Sequence, residues 1–155
     1  MIEKLKKLND ILKTAGGVTT KDMIVYKKAR YGKGTKAKYC IVKLLIPEGS
    51  RVINRLMANE DARFTPGTAL SSEKCRTDRA KVLEIRTFNE KTKKIGRTLK
   101  HASSICAPNG ILGALVRTQY RVGRMVYPNG FNTSPYVECT QGIHFFVTRE
   151  EAMDY

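Results

Sequence analysis

The chain has 155 residues, 41% of them hydrophobic and 28% charged, which excludes the disordered class and supplies enough apolar side chain for one self-folding domain. No run of about 18 apolar residues occurs, and the opening MIEKLKKLNDILK interleaves charge with apolar positions, so a membrane span and a secretory leader are both excluded as readings and an intracellular protein is expected. A net charge of +15 argues against an acidic ligand-repelling surface and points to polyanionic partners.

Residues 2 to 14, IEKLKKLNDILKT, set Ile2, Leu5, Leu8, Ile11 and Leu12 on one helical stripe with Lys4, Lys6 and Lys7 on the other side, and Gly16 and Gly17 end it. The spacing predicts an N-terminal helix whose stripe packs on the core. Two strands follow, over 22–29 and 38–46, joined as a hairpin around the basic loop YGKGTKA and closed by Pro47. A short helix is expected near 52–59. Alternating Ala80, Val82 and Ile85 predict a strand over 79–88, and the polar turn NEKTKK leads to a returning strand over 95–100. Residues 103–113 read as a connection built on Pro108, Asn109 and Gly110, and YRVGRMVYPNGF as a short strand with a Pro-Asn-Gly turn. GIHFFVT alternates as a strand, and Thr148 followed by Glu151 three positions later is a capping-box pattern that opens a short C-terminal helix. The expected class is α+β, a mostly antiparallel sheet with an N-terminal helix and a short C-terminal helix, because most connections are too short for helical crossovers.

Charge is distributed unevenly. Residues 1–50 hold 12 basic and 4 acidic side chains, residues 51–100 hold 13 and 6, and residues 101–155 hold 4 and 4, so the excess lies in the first hundred. Within it, YKKARYGKGTKAKY interleaves Lys27, Lys28, Arg30, Lys33, Lys36 and Lys38 with Tyr26, Tyr31 and Tyr39. Cations neutralise phosphates, rings stack on bases, and glycines let a loop follow an irregular backbone, a combination suited to nucleic acid. The competing reading is a solvated hairpin whose tyrosines pack inward. A second group, Lys74, Arg76, Arg79 and Lys81 with Lys91, Lys93, Lys94 and Arg97, extends the patch if its strands lie beside the hairpin. No helix-turn-helix, zinc finger or RNA-reading signature occurs, so binding is expected to follow the backbone with little sequence preference. GKGTK lacks the phosphate-loop spacing.

Four cysteines, at positions 40, 75, 106 and 139, read as free thiols, and no pair has a chelating spacing, so neither a metal nor a cofactor is expected. Cys139 lies five residues before His144, with Glu138 adjacent. Together with Arg76 these form the enzymatic alternative, a pocket acting on a nucleotide or nucleic acid; a buried thiol and a hydrogen-bonded strand histidine are the structural alternative.

KYCIVKLLIPEGSRV, KCRTDRAKVLEI, GRMVYPNGF and the terminal ECTQGIHFFVTREEAMDY resemble an uncharacterised domain family of large DNA viruses and phages, also found downstream of pentapeptide repeats. The resemblance covers about residues 38–155, with Lys74, Cys75, Arg76, Cys139, Gly142, His144 and Glu151 among its matching positions. It departs over GRTLKHASSICAPNGILGALVRTQYR and in the basic first 37 residues. It implies a viral source, and within the single domain over 1–155 expected from the length it makes residues 1–37 an addition to a 38–155 core. The leading expectation is a small non-enzymatic basic protein that holds nucleic acid or an acidic partner, in the host cell or packaged in a virion. A capsid cement or interaction protein is the third class.

Overall fold

Nine residues of alternating character form each of the two central strands, β1 (Met23–Tyr31) and β2 (Lys38–Ile46), which pair antiparallel in unbroken register from Met23↔Ile46 to Tyr31↔Lys38. The computed structural model of the chain describes residues 17–33, 38–53, 75–105, 117–133 and 141–155. β-Branched and apolar residues at every second position fit a pleated, half-buried surface, and Val25, Ala29, Cys40, Val42, Leu44 and Ile46 are fully buried on one side of the pair.

The sheet grows outward from this hairpin. β3 (Val52–Ile53) and β4 (Cys75–Thr77) precede β5 (Ala80–Phe88), which pairs with β2 through a register shift between Lys43 and Leu44. Such a bulge bends the strand and increases its twist. β6 (Ile95–Leu99) returns along β5 after a turn in which the Asn89 side-chain oxygen accepts the Lys91 and Thr92 amides at 2.9 and 3.0 Å. Lys93 completes that turn at φ +59°. β7 (His101–Ser103) then joins the far edge of β1 at Arg30↔Ser103 and also pairs with β8 (Gln119–Arg121). β9 (Met125–Val126) follows after Val122, Gly123 and Arg124 and pairs back onto β5. The path β6-β5-β2-β1-β7-β8 therefore curls into a half-barrel and reaches β5 again through β9. Its concave side holds the larger core, with Val82, Ile85, Tyr120 and Val126 joining the hairpin residues.

A second, three-stranded sheet has the order β10-β4-β3, with β10 spanning Ile143–Phe145. It is joined to the first where Phe146 and Tyr26 exchange two backbone hydrogen bonds of 2.7 and 2.9 Å along the edge of β1. The chain ends in α1 (Arg149–Asp154). Thr148 is its N-cap: the hydroxyl accepts the Glu151 amide at 3.3 Å and donates to the Glu151 carboxylate at 2.8 Å. Ala152 and Met153 cover the convex side of the sheet with Ile41, Phe88 and Phe146, forming a second, smaller core. Each fully buried aliphatic side chain of this kind contributes roughly 1.5–3 kcal/mol.

The α+β expectation is corrected by this arrangement. The described residues are mostly antiparallel sheet, and α1 is the one helix among them. That expectation rested on the stripe over residues 2–14, which lies outside the described residues. The described residues consist of short apolar runs divided by turn residues, a pattern that fills strands, and α1 alone among them is helical. The expected strands over 22–29, 38–46, 79–88 and 95–100 correspond to β1, β2, β5 and β6. Where a helix is expected near 52–59, Val52 and Ile53 are β3, and residues 54–59 are outside the described set. No described helix is long and apolar enough to cross a membrane.

Cys40 and Cys75 are buried free thiols, and burial pushes the Cys40 thiol from its ordinary value near 9.0 up to about 12. Burial also raises the phenol of Tyr120 above its ordinary range. Both shifts favour the protonated folded state, so their stabilisation is complete below about pH 9 and is lost as pH rises through the folded values. Thermal melts should be flat from pH 7 to about 8.5 and then fall, by about 4 kcal/mol or roughly 8–16 °C at pH 11. A melting temperature unchanged to pH 11 would show that these groups ionise freely in the fold.

Candidate nucleic-acid interface

Successive side chains of a strand point to opposite faces, so YKKARY cannot present its cations together. Val25, Lys27, Ala29 and Tyr31 share the concave side of β1, whereas Tyr26, Lys28 and Arg30 share the convex side. Lys27 is half-buried; its ammonium donates to the His144 carbonyl at 3.0 Å and lies 5.9 Å from the centre of the Tyr120 ring. Lys28 sits between the rings of Tyr39 and Phe88, at 4.4 and 5.8 Å, and pairs with Glu90 at 3.1 Å with only 11% of its side chain exposed. Both charges are used inside the fold. The tyrosines are used as well: Tyr26 lies under Arg149 at 5.4 Å and Tyr31 under Arg97 at 5.8 Å. Arg30 is half-buried, Lys33 and Lys38 are exposed at the loop end of the hairpin, and Lys36 is outside the described residues.

The second predicted group also divides. Lys74 is outside the described residues. Arg79 forks onto Asp78 at 3.1 Å, a hydrogen-bonded ion pair that raises its pKa. Lys93 reaches 60 residues along the chain to donate to the Met153 carbonyl at 3.0 Å and to pair with Asp154 at 3.3 Å. It thereby supplies the cation that α1, with no basic residue in its own last turn, lacks at its C-terminal end. Lys81, Lys91, Lys94 and Arg97 remain exposed.

Arg76 and His144 are cross-strand partners in the β4–β10 ladder. The Arg76 guanidinium is buried, which lowers its pKa, and its Nε and Nη2 both donate to the Asn132 carbonyl at 3.0 and 2.9 Å. Gly142 makes this possible: at φ +144° it passes so close that an added Cβ would lie 3.0–3.3 Å from the Arg76 stem. The described contacts of Arg76 thus brace the segment around Asn132 against the small sheet. Glu138 and Cys139 lie outside the described residues, so the enzymatic alternative is represented by Arg76 and His144 alone.

The fold assembles a basic surface elsewhere. In the β5–β9 ladder Ala80 and Val126 face inward and are buried, while Lys81 and Met125, opposite one another, face solvent. One step along, Tyr127 stands outward beside Arg79 with 64% of its surface exposed. The turn between β8 and β9 adds exposed Arg121, Val122 and Arg124, and Lys100 and His101 lie next to it across the β7–β8 pairing. A cleft of about 280 Å³ opens between the two legs of this segment, lined by Arg117, Gln119, Met125, Tyr127 and Asn129 among others. Arg117 forms its wall by donating to the Ser104 carbonyl at 2.9 Å and to the Ile105 carbonyl.

Arg117, Arg121, Arg124, Met125 and Tyr127 were not among the sequence candidates, although a signal for them exists. The run from Lys91 to Val137 contains no Asp or Glu, yet residues 101–155 counted as one block balance to zero because all four acids lie from Glu138 onward.

Residues 13–152 match the model of a family described as a family of unknown function (DUF5758). The match takes in the β1–β2 hairpin as well as the terminal motif. No curated protein and no solved structure matches the chain.

Two substitutions separate structural from exposed roles. Gly142→Ala should lower the unfolding free energy by about 1–3 kcal/mol in denaturant titrations, through the strained φ and the collision with Arg76. Lys28→Ser should cost about 1 kcal/mol of stability while leaving the salt dependence of polyanion binding unchanged. A Lys28→Ser protein as stable as the parent but weaker in binding would place Lys28 in the interface instead.

Proposed function

We propose, for a chain that belongs to the DUF5758 family of unknown function, that it binds nucleic acid through the sugar–phosphate backbone, using the face formed by the β5–β9 ladder, the β8–β9 turn and the neighbouring β6–β7 segment. One observation carries this reading: Lys81, Lys91, Lys94, Lys100, Arg121 and Arg124 are exposed and have no ion pair among the described residues, on a stretch of chain almost free of acidic groups. At physiological ionic strength the screening length is about 8 Å, so surface cations act on a ligand mainly at contact, while the net charge of +15 speeds encounter. Phosphates replace the condensed counterions on such a surface, and the released ions provide the driving force. Without a helix or ribbon shaped for a groove among the described residues, contacts to phosphate position the ligand and carry little sequence information. The likeness of the terminal motif to domains of large DNA viruses and phages supports a viral setting for this role, in the host cell or inside the virion.

Salt titration tests the reading. Binding to labelled oligonucleotides should weaken steeply between 50 and 200 mM salt. A variant carrying Lys81→Ser, Lys100→Ser, Arg121→Ser and Arg124→Ser should lose about 0.7–0.9 of log–log slope for each phosphate contact removed. An unchanged slope, or no binding at 50 mM salt, would refute it.

A further inference from the structure

We infer that the cleft beside Tyr127 seats an unpaired nucleobase, so that the chain holds single-stranded in preference to duplex nucleic acid; this rests on the backbone-binding reading above and names the class of ligand. The argument begins with the tyrosines. Among the described ones, Tyr26, Tyr31 and Tyr39 each lie under a cation of the same chain, Tyr120 is buried, and Tyr155 packs on Phe146 with ring centres 5.2 Å apart. Tyr127 differs: no ring or cation of the described residues covers it, and it is the most exposed large hydrophobic side chain among them.

An exposed tyrosine alone is unremarkable on a protein surface. Its surroundings give it a chemical direction. Met125 and Tyr127 leave β9 and the residue beyond it on the same side, and the cation Lys81 leaves β5 directly opposite Met125, with Arg79 just before the strand. The result is a platform in which apolar and cationic side chains alternate across one ladder. Asp78 neutralises Arg79, so phosphate contact falls to Lys81 with Arg121 and Arg124 at the turn. A base can lie on the Tyr127 ring against Met125 while its phosphate meets these cations. The cleft is open to solvent and, at about 280 Å³, lies at the small end of ligand clefts, with room for one planar ring. Asn129 lines it and offers an amide to a base edge, whereas the Gln119 amide is held in the wall, its oxygen accepting from Ser103 at 3.2 Å and its nitrogen donating to the Arg117 carbonyl at 3.3 Å. Bases in a duplex are stacked on one another and have no free face for the ring, so the platform selects unpaired strands.

The test compares the intact chain with Tyr127→Ala and Tyr127→Phe on oligo(U), oligo(dT), an abasic oligomer of equal length, and a duplex. The parent should bind the two base-bearing single strands more tightly than the abasic oligomer or the duplex. Tyr127→Ala should lose between about fivefold and 150-fold on the base-bearing strands, with the salt slope and the abasic and duplex affinities unchanged, and Tyr127→Phe should stay within about twofold of the parent. Circular dichroism melts of the variants should superimpose on the parent's. An alanine variant that binds as tightly as the parent, or that loses equally on the abasic strand, overturns the stacking site. If polyanions bind without dependence on bases, the backbone reading stands and the stacking site falls; if nothing binds at low salt, both fall.

Discussion

Both faces of β1 pack against a core, and in this chain that constraint decides what the basic hairpin can do. β1 is paired with β2 along its whole length on one edge and with Phe146 and β7 on the other, while Val25, Ala29 and Tyr31 pack into the larger core and Tyr26 against the smaller one. A lysine in such a place must find a partner, since an isolated buried ammonium is strongly disfavoured. Lys27 finds a carbonyl and a ring, and Lys28 two rings and a carboxylate. Charge that reads from the sequence as a binding strip thereby becomes part of the packing, and the tyrosines between the lysines serve as their platforms.

The two sheets and the terminal helix depend on this same strand. The small sheet carries Arg76 and His144 and reaches the large one through the backbone exchange of Phe146 with Tyr26 and through the Lys27 bond to His144. α1 closes the convex face that Lys28 and Phe88 share, and Lys93 ties its last turn to the β5–β6 turn. Short elements that would be marginal alone are held by neighbours distant in sequence, which is the usual condition of small antiparallel sheets.

Much of the local structure was legible from residue pattern. Alternation in MIVYKKARY and KYCIVKLLI marks the hairpin, Asn89 marks its neighbour's turn, and the Thr148–Glu151 spacing marks the helix start. The class was misread because an amphipathic stripe near the start of the chain was weighed against strands that are individually short. The division of the cations between faces was not legible for a different reason. Period two sends adjacent cations to opposite faces, and the return of β9 to β5 brings Met125 beside Lys81 from 44 positions away, a juxtaposition set by tertiary register that no local window contains. Counting charge in blocks further concealed a long acid-free run whose arginines the fold gathers beside β5 and β7.

β6 ends the hydrogen-bonded path of the large sheet, and its burial pattern is open along its length. Such an edge offers unpaired backbone groups to any other strand, including the same strand of another copy, and is a common starting point for aggregation. Here Lys94, Arg97 and Lys100 flank or occupy it, and two such edges approaching one another bring like charges together. The positive surface is therefore also a guard against self-association. Any polyanion that neutralised these side chains would lower the repulsion between neighbouring chains and leave the edge open to pairing.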